Sequence, residues 1–158
     1  RKTFEALGLA ERLTLQKADL WPQAPAPEQF DLVIFNPPWV PERPRSELER
    51  AVYDEGGGVL SRFLGELPRH LTPGRGEGWL VLSDLAEHLQ LRPGGQVEAL
   101  AQAAGLTVLE VQTVAPAHPK AQDEDDPLHL ARSQERVKLY RLACAPARGS
   151  DEKGPSAR

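Results

Sequence analysis

Residues 31–39, Asp-Leu-Val-Ile-Phe-Asn-Pro-Pro-Trp, constrain the fold more than any other stretch of the chain. Leu32, Val33, Ile34 and Phe35 form an unbroken apolar run with β-branched and aromatic members. That pattern belongs to a strand buried on both faces, as in a parallel sheet covered by helices. The run stops at Asn36 because Pro37 and Pro38 carry no N–H for a sheet ladder and hold φ at about −65°. Pro37 also drives Asn36 out of the helical region toward an extended conformation. The product is a stiff corner at the carboxyl end of a buried strand, where open α/β sheets bind their ligands.

The chemistry of the corner is coherent. The Asn36 side-chain oxygen and the Pro37 carbonyl both accept hydrogen bonds, so together they suit one planar –NH₂ group, and Trp39 offers an apolar face for a flat amide or base. With strand, Asn, double Pro and aromatic in this order, the stretch resembles the signature of class I S-adenosylmethionine-dependent methyltransferases that modify planar nitrogens. Those families include the glutamine methyltransferases of translation release factors and the adenine- and guanine-amino methyltransferases of nucleic acids. The resemblance implies a Rossmann-like α/β sheet, mostly parallel with an antiparallel C-terminal strand pair. It implies S-adenosyl-L-methionine as cofactor and catalytic roles for Asn36, Pro37, Pro38 and Trp39. It also implies cofactor contacts from Asp19, which follows a predicted strand and matches the acid that bonds the adenine amine, from Leu20 and Trp21 framing the ring, and from Asn36. The plainer readings are a turn-capping Asp at a strand end and an Asn-Pro turn opener.

At 158 residues the chain has room for one core. It contains no methionine and opens at Arg1, which points to a piece of a longer polypeptide. The glycine-rich loop and strand-end acid that hold the rest of the cofactor in the resembled families are absent, so residues 1–145 correspond to the C-terminal two-thirds of such a domain. Residues 146–158 are rich in Gly, Ser, Pro and charge and are expected to be disordered. No run is long enough to span a membrane. The single cysteine, Cys144, excludes an internal disulfide and fits a reducing cytoplasm, as a buried structural thiol closing an apolar run. A net charge of −4 supplies no global basic footprint, which tilts the methyl acceptor toward a protein (release-factor-like) and away from RNA or DNA. A truncated, non-catalytic binding module of the same fold is the alternative. A nicotinamide-dependent oxidoreductase is disfavoured because no dinucleotide fingerprint is present.

Along the chain, residues 2–9 read as a helix end capped by Gly8, and residues 12–17 as a strand from the alternation of Leu13 and Leu15. Residues 22–28 are a Pro/Ala connector, and residues 40–45 an extended loop bearing Arg43 and Arg45. Residues 46–53 suit a short helix opened by Ser46 with Glu49 as capping partner, ended by the glycines at 56–58. A helix over 59–71 carries Leu60, Phe63, Leu64, Leu67 and Leu71 on one stripe, with Pro68 expected to kink or divide it. Strands are predicted over 78–83, 106–114 and 136–144, with helical pieces over 84–91 and 95–104 between the first two. The connection over 115–133 holds His118 and four consecutive acids, Asp123 to Asp126; consecutive carboxylates do not converge on a metal, so it reads as a loop over the substrate entrance.

Overall fold

The computed structural model describes residues 2–22, 26–38, 58–116 and 129–146. In chain order these form α1 (Lys2–Ala6), a 3-10 turn (Ala10–Arg12), β1 (Leu32–Phe35), α2 (Gly58–His70), β2 (Glu77–Ser83), α3 (Leu85–His88), α4 (Gln96–Ala103), β3 (Leu106–Val114), α5 (His129–Gln134) and β4 (Val137–Cys144). The four strands make one sheet in the order β1-β2-β4-β3. β1 runs parallel to β2, with Leu32 opposite Glu77 and Phe35 opposite Leu80. β4 enters between β2 and β3 and is antiparallel to both. The antiparallel C-terminal pair expected from sequence is therefore present, but the sheet is mixed, with two of its three pairings antiparallel. Inserting one reversed strand between two that share a direction replaces a parallel contact by two antiparallel ones.

The core forms where α2 and α4 cover one face of this sheet. The predicted stripe of Leu60, Phe63, Leu64, Leu67 and Leu71 is buried throughout, against Leu80 and Leu82 of β2, Tyr140 and Leu142 of β4, and Val97 and Ala101 of α4. Each such side chain contributes about 1.5–3 kcal/mol relative to exposure. Gly78 permits this approach, because a Cβ there would lie 2.5 Å from Leu67 Cδ2. Pro68 does not divide α2, which runs on to His70. It sits two residues before the helix ends, so its missing N–H bond disturbs only the final turn. Gly105, at φ 75°, ends α4 and turns the chain into β3.

Several expectations are corrected. β1 is not buried on both faces: Leu32 is 44% and Ile34 is 64% exposed, while Val33 and Phe35 turn toward the core. Among the described residues α2 and α4 pack on one face of the sheet, and alternate residues of β1 point to the other. Residues 13–18 join no strand among the described residues, and Leu15 is exposed. Two alternating leucines cannot hold a strand without a ladder partner. Cys144 is exposed, being the last residue of β4 at the sheet's rim. The helical piece over 84–91 shortens to α3 because Gln90 takes a left-handed φ of 58°. The predicted helix over 46–53, Trp39, Arg43, Arg45, the acids at 123–126 with His118, and the tail from 147 lie outside the described residues.

Candidate functional site

The parallel pair fixes where the Asn-Pro-Pro corner stands. β1 pairs as far as Phe35 with Leu80, so residues 36–38 leave the sheet at the end of that ladder while β2 continues to Ser83. Pro37 is fully buried, Pro38 half-buried and Asn36 exposed. Phe35 stacks on Phe63 of α2, ring centroids 4.3 Å apart. The corner is thus anchored before and after Asn36, while the Asn36 side chain is left accessible. Trp39, the fourth member, lies outside the described residues.

The second predicted stretch arrives at the same helix. Leu20 has φ 72°, and the Trp21 N–H donates to the Asp19 carbonyl at 2.9 Å, which makes residues 19–21 a γ-turn. A non-glycine residue held there costs about 1–3 kcal/mol, so its surroundings must over-determine it. They do: the Trp21 ring lies parallel to His70 with centroids 4.0 Å apart and parallel to Phe63 at 5.3 Å, and Leu20 packs against the core. His70 is itself fixed, with its buried Nδ1 3.0 Å from the Glu28 carbonyl, so that Nδ1 carries the hydrogen and donates. Asp19 stays exposed and accepts a 3.0 Å hydrogen bond from Arg62. An ion pair this open is worth about 0–1 kcal/mol, weak enough for another donor to displace.

Trp21 and Phe35 therefore share Phe63, which brings the two predicted stretches within about 10 Å of each other, ring centre to ring centre. The Trp21 ring is engaged by α2, so it secures the turn; its indole N–H is buried with no partner among the described residues. Of the predicted set, the structure places Asp19, Leu20, Trp21, Asn36, Pro37 and Pro38 around α2 and the end of β1.

Sequence reasoning missed a polar cluster at the same edge of the sheet, where β2 ends and β4 begins. Ser83 donates to Glu135, the Arg136 N–H donates to Asp84 at 2.6 Å, and the Asp84 N–H donates to the Arg136 carbonyl at 3.0 Å. Lys138 lies 3.6 Å from both Asp84 and Glu87, and Arg92 donates to the Ser83 carbonyl at 2.8 Å. Ser83, Asp84, Arg92 and Glu135 are all buried. Their bonds tie α3, α5 and the start of β4 to the strand beside Asn36. The available signal was Ser-Asp directly after an apolar strand. Nearby, burial raises the Tyr140 phenol above its ordinary range, helped by Glu98 and Glu87. Among the described residues no three His, Cys, Asp or Glu side chains gather to hold a metal, and no helix is long and apolar enough to cross a membrane.

No protein-family model and no curated protein matches the chain. Solved structures do. The [4+2]-cyclase SpnF superposes with a TM-score of 0.54 and 14% identity, over 92% of this chain and 61% of its own. A protein assigned as a sarcosine dimethylglycine methyltransferase, from Galdieria sulphuraria, gives a TM-score of 0.52 and 14% identity, over 89% of this chain and 63% of its own. The chain thus spans about three-fifths of the length of these structures. At this identity the likeness speaks for the fold, which is methyltransferase-like.

Proposed function

We propose that this chain is the acceptor-side part of an S-adenosyl-L-methionine-dependent N-methyltransferase acting on a planar nitrogen, either a protein glutamine amide or an exocyclic amine of an RNA or DNA base. The observation that carries the reading is the meeting of the Asp19 turn and the Asn36 corner on Phe63, with Asp19 and Asn36 both accessible. The fold alone does not choose the chemistry, since one of the two similar structures is a cyclase.

When bound, the cofactor supplies an electrophilic methyl group on a sulfonium. The residues present fit one end of it: Asp19 offers an exposed carboxylate acceptor paired, among the described residues, with a displaceable arginine. Asn36 and the Pro37 carbonyl would take the two hydrogens of the acceptor –NH₂, fixing its direction and favouring a localised lone pair on nitrogen. Orientation of this kind is worth about 7–11 kcal/mol of a barrier in favourable cases. An amide at position 36 does this without the charge of a carboxylate, which would pair with the sulfonium. Buried Pro37 keeps the two acceptors from swinging apart. A base within a duplex or folded RNA would have to be extruded to reach such a corner.

Asn36→Ala in the whole protein tests the reading, with radiolabelled methyl incorporation into fractionated protein and RNA as the assay. Turnover should fall about 10²–10³-fold, the usual cost of losing one positioned polar group at a reacting centre, and far more than cofactor affinity does. Unchanged turnover would remove Asn36 from the mechanism. The second reading is a non-catalytic binding module of this fold, which a fold shared with proteins of different activity allows. Absence of any incorporation by the whole protein, with the fold intact, would select it.

A further inference from the structure

We draw no further inference here: the strongest candidate, the outer edge of β3, unpaired among the described residues and with Leu109, Val111 and Val114 exposed along it, carries nothing, because nothing in the structure shows what covers it.

Discussion

Replacing Phe63 by leucine keeps an apolar side chain in α2 but removes the ring on which Trp21 and Phe35 both stack. Each aromatic contact is worth about 0.5–1.5 kcal/mol beyond the area it buries. Two of them, at centroid distances of 5.3 and 4.3 Å, come to about 1–3 kcal/mol, and the smaller side chain leaves a void that adds about 1 kcal/mol. The expected loss is about 2–4 kcal/mol, or about 5–15 °C in melting temperature for a chain of this size. Urea unfolding followed by fluorescence and far-UV circular dichroism measures it, provided the two probes coincide. The sharper measurement is a cycle. Trp21→Leu and Phe35→Leu should be non-additive when Phe63 is present and additive, within about 0.5 kcal/mol, once it is leucine. A cost for Phe63→Leu under about 0.5 kcal/mol, or additivity in both backgrounds, would show that the two corners are not joined through this ring. The functional reading would then lose the contact that brings Asp19 and Asn36 together.

Glu77 gives a pH test. Hydrogen bonds from Arg141, and next from the Trp79 N–H, hold its carboxyl below the ordinary 4.5, so the unfolded chain takes up that proton first as pH falls. The stabilisation is present above pH 4.5 and is lost as pH drops through the lowered folded value. Urea midpoints between pH 7 and 3 should therefore fall less steeply in Glu77→Gln than in the parent, and parallel slopes would refute the assignment. Tyr140 acts at the other end of the scale: burial first, then Glu98 and Glu87, disfavour its phenolate, so stability declines above about pH 10 as only the unfolded chain ionises there. Absorbance at 295 nm should show one of the chain's two tyrosines silent until unfolding, and two ordinary titrations would contradict it. The 158 residues alone should bind S-adenosyl-L-methionine weakly or not at all by isothermal titration, because Asp19 serves only one end of the cofactor; micromolar binding would refute this.

What could be read from the residues is what local physics decides. The α2 stripe was legible because leucines at helical spacing have one way to leave water together, and all five predicted members are buried. The strands β2, β3 and β4 were legible because each is an apolar run bounded by turn residues. Asn36 ends β1 as the two prolines require, with its side chain outward and Pro37 inward. Sheet order was not legible, since nothing in β4 itself says that it enters between β2 and β3. The Ser83–Glu135 and Asp84–Arg136 bonds join groups 52 residues apart and leave no local pattern. Cys144 misled because the apolar run of β4 continues to the rim, where burial has already ended.

The disagreement over β1 says more than the agreements. Leu-Val-Ile-Phe is a sequence for two covered faces, and the chain as described covers one. Local pattern and observed burial conflict at β1, as they do at Leu109, Val111 and Val114 of β3, and β1 carries the Asn-Pro-Pro corner. A native sequence keeps its local preferences and its global fold consistent. The alternation has a structural consequence at the corner: Val33 and Phe35 face the core, and the stacking of Phe35 on Phe63 fixes the strand end from which Asn36 leaves.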